Sequence, residues 1–305
     1  LTVAGGQYAI NGGAWSSAAT TVSDGDTVKV RGVAPATVAT TQDVVLTIGG
    51  VADAFSITTA ANAEASDLIA RFAVDPGAAR RRLIDTCVGA LKAAGAWAKL
   101  DVLYVFAAHD SQAALRNWIA DANNAAAVGD PSFTPDRGYA GDGGTAYLGT
   151  GFPANAVTAN WDGAAADDGG IGYYMNAAGT PGDWVCGRGS GNAQLRLASG
   201  NGSALIGRMM ATSDNAVATS DTTGFCAMLR PDTGNVLFYC NGASASATRT
   251  GTAQSGSELT FLKTFSGGTE GRLAARWIGS GQFTTGELDD FRSALVGYLA
   301  AIGAD

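Results

Sequence analysis

Between Asp136 and Phe152 a glycine falls every few residues, with Tyr139, Tyr147 and Phe152 set among Gly138, Gly141, Gly143, Gly144, Gly149 and Gly151. Glycine reaches backbone angles closed to other residues and gives a helix little to pack. A run of this kind turns sharply and then enters a short strand. The bias extends along the chain: 43 of 305 residues are glycine, with many Ala, Ser, Thr and Asn between them, which predicts a turn-rich β architecture. Hydrophobic residues at 46% and charged residues at 15% suffice for a packed core and argue against disorder. The length predicts two domains.

Residues 1–60 read as a small β module. Tyr8–Ile10 is a strand before the Asn11-Gly12-Gly13 turn, Val28 and Val30 share a face, and Val44–Ile48, Gly49-Gly50 and Phe55–Thr59 form strand, turn and strand. Residues 61–67 are small and polar and are expected to be a linker. In 68–305 a helix is expected first, with Asp75 as cap, Pro76 in its first turn, Ile84, Cys87, Val88 and Leu91 at helical spacing, and Gly95 as its end. Leu100–Ala107 reads as a buried strand. From Ala146 to Ile278 nine strands follow, the last two being Leu259–Phe265 and Leu273–Ile278. A final amphipathic helix has the Thr284-x-x-Glu287 capping box and a Leu288, Phe291, Leu295, Tyr298, Ile302 stripe.

Several of these pieces carry a resemblance. The Asp136–Phe152 run, Leu103–Ala107 with Asp110-Ser111-Gln112, Val236–Gly242, and Arg276-Trp277-Ile278-Gly279 before the capped helix resemble, in that order, the concanavalin-A-like (laminin-G-like) sandwich of phage tail and fibre proteins. The resemblance covers roughly residues 68 to 303. Gly25-Asp26-Thr27-Val28-x-Val30 and the Leu46…Thr59 ending are similar to bacterial immunoglobulin-like repeats. The resemblance implies a mostly β fold: an immunoglobulin-like sandwich at 1–60, then a concanavalin-A-like antiparallel jelly-roll with flanking helices. It also implies a non-enzymatic virion fibre or tail component at the virion surface, recognising host-surface polysaccharide or glycan. Other virion proteins and further copies of the chain, a trimer among the options, are its expected partners. The alternatives are a purely structural virion protein and a glycan hydrolase.

The chemistry in the residues agrees with recognition more than with cutting. A glycosidase needs two carboxyls across one cleft, yet the four glutamates (Glu64, Glu258, Glu270, Glu287) share no strand, and Asp167-Asp168 alternate across one. His109 is the single histidine. His109-Asp110-Ser111 is contiguous and reads as a strand end with Asp110 or Ser111 capping the next element. Gly187-Arg188-Gly189-Ser190-Gly191 lacks the Lys-Ser/Thr of a phosphate loop. No catalytic or metal set is expected. Calcium is the one ion the resemblance allows, with Asn160, Asp162, Asp167, Asp168 and Asp214-Asn215 as oxygen donors in no defined loop spacing.

Sugar binding calls for exposed rings beside polar groups. Trp161 with Asp162, and Trp184 with Arg188, are the candidate ligand-binding residues, and one ring of Tyr173-Tyr174 must face outward. Trp15, Trp97, Trp118 and Trp277 are expected in the core. A net charge of −8, with Arg80-Arg81-Arg82 as a solvated helix face, excludes a nucleic-acid partner, and no apolar run suits membrane insertion. Cys87, Cys186, Cys226 and Cys240 are expected as free, buried thiols. The chain opens on Leu1 and is expected to be a piece of a longer protein.

Overall fold

The computed structural model describes residues 1–35, 40–180, 183–188, 194–198, 204–219, 221–264 and 267–304, and for 188, 194–198, 264 and 267 the backbone alone. The chain divides into two compact units, Leu1–Ala63 and Glu64–Asp305.

The first unit holds β1 (Thr2–Ala4), β2 (Gln7–Ile10), β3 (Val28–Arg31), β4 (Thr41–Ile48) and β5 (Val51–Thr58). β2 pairs with β3, while β4 is flanked by β1 and β5, all antiparallel. Gly49 and Gly50, both at positive φ, close the tight β4–β5 turn where the sequence places it. Its core is small, built on Tyr8, Ala9 and Val44. Trp15 departs from expectation: it is 37% exposed, and the Arg31 guanidinium lies 4.4 Å over its ring.

The second unit is built from α1 (Ala63–Ala70), α2 (Gly77–Ala93), β6 (Leu100–Val105), α3 (Ser111–Ala114), β7 (Ala126–Val128), β8 (Ser132–Thr134), β9 (Gly138–Ala140), β10 (Tyr147–Pro153) and β11 (Gly169–Ala177). It continues with β12 (Trp184–Arg188), β13 (Gln194–Ala198), β14 (Ala204–Ala211), β15 (Asn215–Ala218), β16 (Gly224–Asp232), β17 (Asn235–Cys240), β18 (Ala243–Thr248) and β19 (Glu258–Phe261). The short pair β20 (Lys263–Thr264) and β21 (Gly267–Gly268), then β22 (Arg272–Gly279) and α4 (Thr285–Ala301), complete it. The fold is the mostly β sandwich with flanking helices that the sequence predicts. A seven-stranded sheet runs β15-β14-β13-β12-β19-β10-β7, and an eight-stranded one runs β18-β17-β16-β11-β22-β9-β8 with β6 also on β22.

Side-chain alternation turns these sheets into three layers. On β6, Val102 and Tyr104 point between the sheets, while Leu103 and Val105 point toward the helices. On β17, Val236, Phe238 and Cys240 face the other sheet and Tyr239 faces the helices. The central strands of the eight-stranded sheet are therefore buried on both faces, and its helix side takes Ile84, Val88 and Leu91 of α2 and Leu288, Phe291 and Leu295 of α4. Gly172 lies at the closest approach, because a Cβ there would stand 2.2 Å from the Trp277 indole nitrogen. No helix among the described residues is long and apolar enough to cross a membrane.

Several expectations change. Residues 63–67 of the stretch assigned to a linker open α1, because Ala65 and Leu68 bury against the helix-side core even though alanine gives no visible apolar stripe. The strand expected at Leu259–Phe265 breaks at Leu262, whose φ is 66°; Phe265 lies outside the described residues. Arg80 is no free helix face, since it bonds Asp136 at 2.6 Å and also reaches the Tyr298 hydroxyl. Cys226 and Cys240 stand opposite one another on β16 and β17 and are joined by a disulfide, which leaves Cys87 and Cys186 as buried thiols. The 14-residue spacing concealed this, because it is the β16–β17 pairing that brings the two together.

Candidate functional site

A cleft of about 380 Å³ gathers polar groups from four elements at one end of the eight-stranded sheet's helix side. β11 supplies Tyr174 and Asn176, the entry to β16 supplies Asp221 and Thr223, the β17–β18 turn supplies Asn241, and α4 supplies Arg292 and Ser293. Pleating decides which tyrosine takes part. Tyr173 is buried between the sheets, so Tyr174 must point the other way, and it is half-buried on the cleft wall. Just past Tyr174 the pairing of β11 with β22 loses its regular register.

Asn241 and Gly242, at φ 48° and 99°, make the two-residue turn that Asn-Gly predicts, joining Cys240 to its partner Ala243. The same asparagine organises the cleft. Its Oδ1 accepts the Phe225 N–H at 2.9 Å, and its Nδ2 donates to Asp221 Oδ2 at 2.8 Å and to the Thr223 carbonyl at 3.0 Å. A Cβ on Gly224 would fall 2.4 Å from that amide, so only glycine lets the turn press down and hold the Asp221 carboxylate in place.

Asn176 Nδ2 donates to the Arg137 carbonyl at 2.9 Å and the Ala304 carbonyl at 2.8 Å, while its Oδ1 is buried without a partner. α4 begins at the Thr284–Glu287 capping box, with Glu287 bound 2.7 Å from Lys99. The helix buries Leu288, Phe291, Leu295 and Tyr298, which leaves Arg292 and Ser293 beside the core at the cleft. The Arg292 Nε is likewise buried without a hydrogen-bond partner. Behind it the Tyr239 hydroxyl donates to Asp289. Burial first, and then Asp289, push the Tyr239 phenol well above its ordinary range, while the nearby Arg292 charge works the other way.

The residues singled out in the sequence lie elsewhere. Trp161 is 1% exposed: its indole N–H donates to the Ala154 carbonyl at 3.0 Å and its ring meets Phe152 edge-on, so it offers no sugar a free face. Apolar packing at the sandwich end wins over the polar look of the Asn160–Gly163 loop. Asp162 is spent on its own turn, accepting the Ala165 N–H at 2.8 Å. Trp184 is half-buried on β12 in the other sheet, and the Arg188 side chain lies outside the described residues, as do Gly189, Ser190 and Gly191. The sequence did not single out Asn176, Asp221, Asn241, Arg292 or Ser293, which the fold brings together in this cleft. Its one signal toward them was the Tyr173-Tyr174 alternation.

No three His, Cys, Asp or Glu side chains among the described residues could hold a metal ion. Asp168, one of the calcium candidates, instead accepts from Ser280 and Gly281. The glutamates are dispersed: Glu64 pairs with Lys92, Glu287 with Lys99, and Glu258 accepts the Gly151 N–H. The exposed Glu270 lies near enough to Asp183 to raise that carboxyl's pKa, after the larger effect of burial. Asp110 caps α3 through Gln112 and Ala113, and His109 Nε2 lies 2.9 Å from the Val74 carbonyl, which is the bland arrangement expected of that tripeptide.

No family model matches the chain, and no curated protein matches it. Among solved structures it is similar to the binding domain of botulinum neurotoxin serotype D, at 11% identity over 66% of this chain and 52% of that one, with a TM-score of 0.44. It is also similar to domain 4 of a GH43 extracellular arabinanase from Geobacillus stearothermophilus, solved in complex with arabinotriose: 16% identity, 64% and 98% covered, TM-score 0.43. A third is botulinum neurotoxin type C, described as depending on two ganglioside molecules for cell entry, at 11% identity, 68% and 53% covered, TM-score 0.43. The chain spans about half the length of the neurotoxin chains it matches.

Proposed function

We propose that the Glu64–Asp305 unit recognises carbohydrate in the cleft between β11 and α4, and does not cleave it. One observation carries this reading. A half-buried tyrosine ring, a carboxylate, two amides, a guanidinium and two hydroxyls converge on a space large enough for one or two sugar rings. Sugars are recognised by that mixture, with a flat apolar face for the C–H side of the ring and fixed donors and acceptors for its hydroxyls. Among the described residues the cleft is lined by one carboxylate, Asp221, and the two-carboxylate arrangement of glycoside hydrolysis has no counterpart in that lining.

The wider setting extends the resemblance read from the sequence. In it the protein is a fibre or tail component at a virion surface, the Leu1–Ala63 unit is an immunoglobulin-like spacer, and several copies act together on a host polysaccharide. Single weak sites then gain strength from effective concentration. The test is an oligosaccharide array probed with the chain and with Tyr174→Ala. Binding that falls about fivefold or more in the variant, with unchanged melting temperature, supports the reading. Failure of the chain to bind any array member removes it, and favours the purely structural virion role.

A further inference from the structure

We infer that Cys186 is held as a thiolate by Arg276, and that this buried ion pair ties the seven-stranded sheet to the eight-stranded one. Ala275 and Trp277 on β22 belong to the helix-side core, so Arg276 between them projects into the layer between the sheets. It is 1% exposed, and its Cζ stands 4.3 Å over the ring of Phe261 on the opposite sheet. Phe261 is paired across β19 and β12 with Cys186, which is equally buried and faces the same layer.

All three nitrogens of the Arg276 guanidinium are buried without a hydrogen-bond partner of ordinary geometry. Arg230, the other fully buried arginine among the described residues, shows what the fold provides elsewhere. Its nitrogens reach the carbonyls of Met209, Asp232 and Arg249 at 2.8–3.1 Å. A guanidinium does not shed its proton in a protein, and a charge left alone in an apolar layer is costly. Arg276 therefore requires an anion. The one fully buried carboxylate among the described residues, Asp85, is on α2, at the helix side of the sheet.

Two groups beside Arg276 can carry negative charge: Tyr173, directly across from it on β11, and Cys186. Burial, the larger effect, lowers the Arg276 pKa; Cys186, by charge and as a bonding partner, and then Tyr173 oppose it. The Tyr173 phenol is pushed well above its ordinary range, by burial first and then by Cys186, with Arg276 working the other way. It keeps its proton. The thiol, intrinsically the stronger acid and beside a cation, loses its proton to solvent as the chain folds. Cys87 is the contrast. Its sulfur meets the Ala294 carbonyl at 3.8 Å rather than a cation, and burial pushes that thiol up to about 12.

Infrared absorption in the S–H stretching region counts the protonated thiols of the native chain at pH 7. Cys87→Ala should remove an S–H band and Cys186→Ala should remove none. Arg276→Met should add one, since the thiol left without its cation takes up a proton. Unfolding the unsubstituted chain at the same pH should also add one. Melting temperatures give a second reading. Cys186→Ala isolates the guanidinium and should melt about 10 °C lower. Arg276→Met should cost much less, and added to Cys186→Ala it should restore most of the loss. An S–H band that Cys186→Ala removes from the folded chain overturns the inference, and so do losses from the two substitutions that simply add. Should Cys186→Ala fail to fold, an S–H band unchanged by Arg276→Met and by unfolding overturns it equally.

Discussion

Replacing Gly172 with alanine tests whether the layer packing that sets α4 in place is as close as the structure has it. The added Cβ would stand 2.2, 2.4 and 2.7 Å from Nε1, Cε2 and Cζ2 of Trp277. Carbon atoms at rest keep about 3.5–4 Å, so the indole must move by more than an ångström. It has nowhere to go: Trp277 is fully buried, with Phe283 at 5.4 Å and Phe291 at 5.6 Å between ring centroids. Alanine in a strand would otherwise gain about 0.5–1 kcal/mol over glycine. Overpacking of this kind costs about 1–3 kcal/mol and more where the neighbour is rigid, so the net loss is about 2 kcal/mol. In a unit of this size that lowers the melting temperature by about 4–8 °C, read by circular dichroism or calorimetry. Phe291 precedes Arg292, so the shift also displaces the cleft's guanidinium and weakens ligand binding. Trp277→Phe removes the clashing atoms, and in that background Gly172→Ala should cost less than about 0.5 kcal/mol. A Gly172→Ala protein as stable as the parent would refute the reasoning.

Glu287→Gln weakens the α4 cap and the Lys99 ion pair and should cost about 1 kcal/mol in urea denaturation. Burial pushes the Glu287 carboxyl up, but Lys99 and Thr284 outweigh it and hold its pKa below the ordinary 4.5. Its contribution is therefore present above that value and fades as pH falls through the lower, folded one. The variant should flatten the stability–pH curve below about pH 4.5, and an unchanged acid limb would contradict this. Burial pushes the Cys87 thiol up to about 12, so the native chain resists alkylation there at pH 8. Unfolding without reductant should expose two alkylatable thiols, Cys87 and Cys186, and a count of four by mass would place Cys226 and Cys240 among the thiols. Trp184→Ala should leave affinity at the cleft unchanged. A loss there would shift recognition to the seven-stranded sheet.

What the sequence made legible was local. The Asn241-Gly242 turn, the capping box of α4 with its stripe, the α2 periodicity and most of the long strands follow from short-range rules and are present in the structure. β18 escaped notice because Ala243–Thr248 alternates only small residues, and α1 because its buried face rests on Ala65 and Leu68 alone. Trp161 shows the limit on the side of function. Polar neighbours in sequence predicted an exposed ring, but the loop folds back so that Phe152 and the Ala154 carbonyl receive it. The cleft draws on positions as far apart as Tyr174 and Arg292, brought together only by the crossing of α4 over the sheet. No local pattern encodes that convergence.

The doubly covered middle sheet has an evolutionary corollary. Its central strands have no wet face on which substitutions could accumulate harmlessly, while the edge strand β18 keeps most of its residues exposed, so drift is pushed to that edge, the outer sheet, the helix exteriors and the sheet's ends. Asn176, Asp221 and Arg292 sit at such an end, on three separate segments anchored to the same stiff slab. On the carbohydrate reading, single replacements at Asp221 or Arg292 would retune what the cleft grips while leaving the central strands alone, a useful property for any protein whose target keeps changing its coat.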